Sequence, residues 1–565
     1  MCLSLKSKSS LVLVFSLLAY TTTAQVLPDS IIKKIDQLFS HKRSATSPGF
    51  SIGIVRNDSL IFSKGYGMAN LEYSVPNSSE SIYHMASVSK QFTAYCILLL
   101  EGQGKLKLDD DIRKYLTWFP DLKHKITIRH LLNHTSGIRD QWDLNVISGK
   151  RMDDVITQDY LLTLLSRQQA LNFTPGAEYS YSNSNYTLMA EIVKTISGKS
   201  FRQFSDSAIF KPLGMKFTHV HDDHTELVPN RAYSYRPLDN DRFANAVLNY
   251  ANAGATSLFT NVTDMAKWVM NFYNPKAGDA STIGKLTTKA VLNNGATIPY
   301  ASGIIVDDYN GRRRFSHNGA DAGYRTYVGV FPDEKIGFIL LSNLSTTNIG
   351  AKATELTSLF IKPNNAIAEK KKIDSSMAKI KDTLAFAKYM GNYIADDGVQ
   401  FSYNLKDQQV YWTSSPNSLL LVRGQGDTLV SIANPDVKFV FSGNRSDDAI
   451  VDQYWPGSHR RLKKYTPPTK DTMQLDRELR EYVGTFYNSE TDVKHTFLLE
   501  DHSLKLTSNQ SFTVKNKLEY IQKDGFKGGP YLLKFIRNSK NQVTGYELNT
   551  GRIRHLLFNK INAKH

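Results

Sequence analysis

Cysteine is almost missing from this chain: 565 residues contain two, Cys2 and Cys96. Cys2 stands ahead of an apolar leader and Cys96 lies inside Tyr95-Cys96-Ile97-Leu98-Leu99-Leu100, which excludes a disulfide framework and makes Cys96 a small core residue. Beyond the leader no segment supplies the roughly 18 uninterrupted apolar residues of a membrane span, so none is expected in the rest of the chain. Glycine (34) and proline (18) are not in excess and aromatics make up 11% of residues, which excludes collagen-like, low-complexity and wholly disordered classes. Acidic residues are the minority, 53 against 69 basic, for a net charge of +16. The basic residues are scattered, however, with Arg312-Arg313-Arg314 and Lys370-Lys371-Lys372 as the longest runs, and no nucleic-acid module is present. The charge is a bias toward anionic polymers, and no nucleic-acid partner is expected.

What is present begins with an export leader. Lys6 and Lys8 precede the apolar run Leu11 to Tyr20, and Thr22-Thr23-Ala24 supplies small residues for a cut after Ala24. Residues 1–24 are therefore expected to be removed and the mature chain to be periplasmic or secreted. The remaining length implies several domains.

Two strands, Phe50 to Val55 and Leu60 to Ser63, flank an Asn57-Asp58 turn, and a second hairpin runs from Arg325 to Phe331 and Ile336 to Leu341, with a helix after it over Ala351 to Ile361. Residues 85–300 between the hairpins read as largely helical. This pattern predicts an α+β domain over 25–365, an antiparallel sheet built from both ends of the segment with a helical insertion between them. A polar, lysine-rich stretch around 366–380 reads as a linker. After it come short alternating strands such as Gln409-Val410-Tyr411-Trp412 and Leu429-Val430-Ser431-Ile432. They repeat: Phe386 to Tyr393 parallels Leu479 to Phe486 at an offset of 93, and Arg460-Arg461-Leu462 parallels Arg554-His555-Leu556 at 94. Two all-β units, 381–466 and 474–562, are expected, either as separate antiparallel barrels or as one shared sheet.

The chemistry-bearing residues start with Ser87-Val88-Ser89-Lys90. On a helix, serine and lysine at i and i+3 share a face, so a desolvated amine can take the hydroxyl proton. A serine at a helix N-terminus also has its backbone N–H free for an oxyanion. Alone the pattern is weak, since Ser30 to Lys33 and Ser376 to Lys379 match it too. Here it is followed in order by Lys125 to Gly137 with its Leu132-Asn133-His134-Thr135-Ser136-Gly137 ending, by Pro175-Gly176 through Tyr181-Ser182-Asn183, and by His317-Asn318-Gly319.

With these motifs in order, residues 30–360 resemble the serine-hydrolase family that contains class C β-lactamases, D-aminopeptidases, penicillin-binding carboxypeptidases and related esterases. The resemblance implies a β-lactamase/transpeptidase-like α+β fold, with lipocalin-like barrels for the two C-terminal units. It implies Ser87 as the acylated nucleophile, Lys90 as its proton acceptor or electrostatic partner and Tyr181 as the proton shuttle to the leaving group, the choice of base between Lys90 and Tyr181 staying open. Asn183 would hold Lys90 and the substrate amide. His317 takes the place of the lysine in K-T-G, Gly319 completes the triplet, and the backbone N–H groups of Ser87 and Ala320 would form the oxyanion hole. A histidine there is largely neutral above pH 6.5, roughly, so it lacks the lysine's fixed charge for a substrate carboxylate, and the D-aminopeptidase and esterase branches fit better than a β-lactamase.

Tyr250-Ala251-Asn252 also matches Y-x-N but precedes Gly254-Ala255-Thr256-Ser257 and lacks the surroundings of Tyr181, which makes it a pocket wall or core residue. His130 with His134 lacks the glutamate of H-E-x-x-H, and His219, His221 and His224 among Asp222 and Asp223 read as a polar surface loop. No metal or cofactor is expected. The function expected from these readings is an exported hydrolase of a small amide or ester, with a small molecule or short peptide as substrate. The rivals are a class C-like β-lactamase or DD-carboxypeptidase and, from another class, a non-catalytic penicillin- or peptide-binding sensor.

Overall fold

The computed structural model describes residues 27–40, 46–239, 242–362, 383–395, 399–407, 409–414, 417–431, 437–443, 448–455, 458–466, 472–510 and 517–561. The expected leader and linker lie outside them. The first domain is built on a six-stranded antiparallel sheet with strands β1 (Phe50–Arg56), β2 (Ser59–Tyr66), β3 (Ile305–Tyr309), β4 (Arg312–Asp321), β5 (Tyr324–Phe331) and β6 (Ile336–Ser342), in the order β3-β4-β5-β6-β1-β2. Strand β1 lies between its hairpin partner and β6, with Phe50 opposite Ser342 and Arg56 opposite Ile336, so the two ends of the domain close one sheet.

Both faces of that sheet are covered. Helix α1 (Asp29–Phe39) buries Ile35 and Phe39 against Phe50, Ile52, Ile54 and Leu340, together with Leu356 of a helix at Ile349–Ser358. On the other face Val55, Val328, Val330, Ile339 and Leu341 meet the helical insertion. A strand buried on two faces needs apolar residues without alternation, which is why Ile336–Ser342 is buried throughout. The insertion contains α2 (Lys90–Gly102) and α3 (Asn183–Ser197), which pack together, and also several strands of two or three residues, so it is less helical than its sequence suggests.

The first C-terminal unit is a closed barrel of eight strands between Gly391–Ala395 and Ser458–Tyr465. The second is an eight-stranded sheet between Gly484–Asn488 and Leu556–Ile561, whose end strands meet through a Lys505–Lys517 bridge and a Leu518 N–H donated to Leu504 at 2.7 Å. They are two separate barrels, not one shared sheet. The repeat has a structural counterpart: Tyr389 donates to Asp427 and Tyr482 to Asp524, both at 3.0 Å. Gly391 (φ +132°) and Gly484 (φ +145°) lie two residues later, in a conformation that side chains rarely adopt and beside Lys464 and Lys560 respectively.

The second barrel is docked on the first domain. Leu144 and Ile147 of the short helix Gln141–Ile147, with Leu164, belong to the same apolar core as Phe486, Phe497 and Tyr546 of the barrel. Among the described residues the core of the first barrel contains only its own side chains.

Candidate active site

Ser87 sits on a tight 3-10 turn, Ala86–Ser89, that runs into α2. Ala86 is held at φ +49°, a conformation uncommon for a residue with a Cβ. The turn is pressed against strand β4: a Cβ on Gly319 would fall 2.4 Å from the Met85 carbonyl oxygen and 3.0 Å from the Ala86 Cβ. Thr326 Oγ1 donates to the same Met85 oxygen at 2.8 Å. Glycine at 319 is what allows the strand carrying His317 and Ala320 to lie directly on the turn that carries Ser87.

Lys90 is fully buried one turn after Ser87. Its Nζ is 3.2 Å from Ser87 Oγ, and it donates to Asn183 Oδ1 at 2.8 Å and to the Ala255 carbonyl at 2.7 Å. Burial brings its pKa down to about 7, opposed by Asp321 and Asp140 and assisted by Arg552. Tyr181 donates to Ser87 Oγ at 2.8 Å, and burial raises its phenol far above the ordinary range. The ring of Tyr181 lies 4.9 Å from Lys90 Nζ. The structure thus gathers Lys90 and Tyr181 around the Ser87 oxygen, with Asn183 on Lys90 and Gly319 against the turn that carries Ser87.

Asn183 begins α3, and both its backbone N–H and its Nδ2 donate to Asp140 Oδ2, at 2.7 and 2.8 Å. Asp140 is fully buried and its other oxygen caps the helix Gln141–Ile147. A carboxylate that accepts from both groups fixes the amide orientation, so Oδ1 of Asn183 can only face Lys90.

His317 is reached through a chain of defined hydrogen bonds. The Ser182 N–H donates to His134 Nδ1 at 3.2 Å, which leaves Nε2 of His134 as the donor to Tyr300 Oη at 3.2 Å. Tyr300 then donates to His317 Nε2 at 3.1 Å, and His317 Nδ1–H donates to the Asn318 carbonyl at 2.6 Å. Burial, then the charge of Lys90, lower the His317 pKa to about 4. His317 is neutral at physiological pH, and both its nitrogens are engaged inside the protein. Ala320 follows on the same strand and is exposed.

Tyr250 is buried against Trp142 and His84, and Asn252 is bonded to Gln141, Thr187 and Gln158, so the second Y-x-N belongs to the core. His130 closes a capping box with Thr127. The histidines near 220 differ from expectation. Only Asp222 and Asp223 are exposed as a surface loop would be, whereas His221 is 1% exposed with its ring tilted against Phe259, on which His219 stacks. His219, His221 and Glu226 bring ligand-type atoms within 4.8 Å of one another, but both oxygens of Glu226 receive Arg202 at 2.7 Å.

Comparison with known proteins places this geometry. Residues 35–358 match the model of the Beta-lactamase family. The chain belongs to that family. Penicillin-binding protein 4* of Bacillus subtilis (strain 168) is 28% identical over 378 residues, 62% of this chain and 80% of its own. A D-aminopeptidase of Brucella ovis is 29% identical over 297 residues, 52% of this chain and 56% of its own length. Among solved structures, the octameric penicillin-binding protein homologue from Pyrococcus abyssi aligns with a TM-score of 0.52 at 23% identity, covering 77% of this chain and 98% of its own, a likeness of fold. The first domain is therefore a β-lactamase-fold hydrolase domain. Among the described residues no helix is long and apolar enough to cross a membrane.

Proposed function

We propose that this chain is an exported serine amidase or esterase, D-aminopeptidase-like in substrate, acting through an acyl-enzyme on Ser87. The observation that carries this reading is the hydrogen-bond inventory of Lys90. A neutral amine has two N–H groups and one lone pair. Asn183 Oδ1 and the Ala255 carbonyl take the two N–H groups, and the lone pair is left for the Ser87 hydroxyl. Lys90 is the base on this account, and Tyr181, kept a phenol by burial, is the acid.

Ser87 Oγ attacks the carbonyl carbon as its proton passes to Lys90, and the oxyanion is met by the N–H groups of Ser87 and Ala320. The C–N or C–O bond then breaks as Tyr181 protonates the leaving atom, and the proton held by Lys90 restores the phenol. Water, activated by Lys90, releases the acid. Asp140 and Asn183 act as positioning residues. The neutral, internally bonded His317 offers no cation where the K-T-G lysine of a lactamase stands on strand β4, and the D-aminopeptidase likeness supports the amidase and esterase reading. Turnover assays with D-aminoacyl anilides, short-chain esters and a penicillin test the proposal. Hydrolysis of the first two with the penicillin spared is expected, while rapid penicillin turnover without anilide or ester cleavage would replace it with the lactamase reading.

A further inference from the structure

The second barrel does more than lean on the hydrolase domain: its loop 550–555 enters the neighbourhood of Ser87. The guanidinium of Arg552 lies 5.1 Å from the centre of the Tyr181 ring, on the residue that touches Ser87. The loop is held from several sides. Thr550 donates to Asp143 at 2.6 Å, Asn172 donates to the Arg552 carbonyl at 2.9 Å and accepts from Arg554 N at 2.8 Å, and Arg554 donates to Glu178 at 2.9 Å. Beneath it the buried Arg139 donates to the carbonyls of Arg554 and His555 and is paired with the buried Glu490 at 2.8 Å.

Within this fixed backbone the Arg552 side chain is the loosely tied member. Its side chain is 44% exposed, and among the described residues its one ion pair within 4 Å is with Asp140 Oδ2 at 3.8 Å, Asp143 acting on its charge from farther away. That oxygen already accepts the two short bonds from Asn183. A guanidinium has five N–H donors in a planar fork suited to a carboxylate, and at 3.8 Å Asp140 satisfies them poorly. A fixed cation has therefore been brought to the Tyr181 side of a site whose strand-borne position, His317, is neutral and occupied.

We propose that Arg552 is a specificity residue supplied by the second barrel, which binds a carboxylate on the leaving-group portion of the substrate. The assignment to the leaving group rests on the proposed role of Tyr181 as the acid. The substrate class is an amide or ester whose amine or alcohol product carries an anionic group.

The test compares D-alanyl p-aminobenzoate with D-alanyl p-aminobenzamide, which differ in one charge at the same distance from the scissile bond. Wild-type protein is expected to favour the carboxylate in kcat/KM by about ten-fold or more. Arg552→Gln lowers that ratio toward unity, Arg552→Lys restores part of it, and 1 M salt reduces it in the wild type. Equal kcat/KM for the two substrates in the wild type, or an unchanged ratio in Arg552→Gln, overturns the assignment. The two proposals fail separately. A wild type that cannot be labelled by a fluorophosphonate at Ser87 removes the hydrolase reading, while a labelled, active wild type indifferent to the charge removes only the role of Arg552.

Discussion

At the scale of single residues, the account turns on the protonation of Lys90. Its amine is neutral above a pKa of about 7, so kcat/KM on an uncharged ester is expected to rise with pH through that value and to fall ten-fold per unit below it. His317, lowered to about 4, adds no inflection between pH 5.5 and 9, roughly. A profile measured across that range checks both, and a rate that stays flat down to about pH 5.5 would point to another base. Tyr181→Phe removes the acid while keeping the ring, and kcat is expected to drop about 10²–10⁴-fold, more for an anilide than for an ester with a good leaving group. That Ser87, Lys90, Tyr181 and Asn183 lie together was legible in the sequence because short motifs carry them in pairs, Ser87 with Lys90 and Tyr181 with Asn183. The residues that orient them were not. Asp140, Tyr300 and the ring of His134 act through partners 43, 17 and 48 positions away, and nothing in the local sequence marks such pairings.

At the scale of elements, strand β4 carries both the exposed Arg312 and Arg313 and the buried His317 and Gly319. The sequence reading found β1, β2, β5 and β6, whose apolar runs announce them. It left out β3, a charged strand at the sheet edge without period-2 alternation, and placed β4 only through the resemblance, which puts His317 on a strand lining the site. The helix α1 was overlooked although Ile31, Ile32, Ile35, Leu38 and Phe39 fall at helical spacing and pack on the sheet. Contact between β4 and the nucleophile's turn leads to a sharp expectation for Gly319→Ala. The added methyl meets the Met85 carbonyl oxygen at 2.4 Å, a backbone atom that cannot swing aside, so the turn must shift. A displacement on the order of 1 Å costs about 10²-fold in rate. Acylation rates with a fluorophosphonate measure it, and an unchanged rate would mean that the strand and turn are not in register as described.

At the scale of the whole molecule, the two barrels were visible in the sequence as a repeat, while their different roles were not. The last two strands of the first barrel end at Trp455 and resume at Ser458, whereas those of the second end at Asn549 and resume at Leu556, and the extra length is the loop that reaches the active site. Docking depends on a buried ion pair between Arg139 and Glu490, 0% and 5% exposed. Burial weighs against the charged form of each, so removing one partner strands the other. Glu490→Gln is expected to destabilise the joined hydrolase domain and second barrel by about 3–5 kcal/mol. Calorimetry should show that transition moving down in temperature while the first barrel's is unmoved; a shift of both, or of neither, would deny that the ion pair holds these two parts together. The central claim concerns Ser87, and the most direct measurement is intact mass after treatment with a fluorophosphonate, wild type beside Ser87→Ala. One added phosphonyl group on the wild type and none on the variant is the predicted result. Equal labelling of both proteins, or of neither when both are folded, would contradict it.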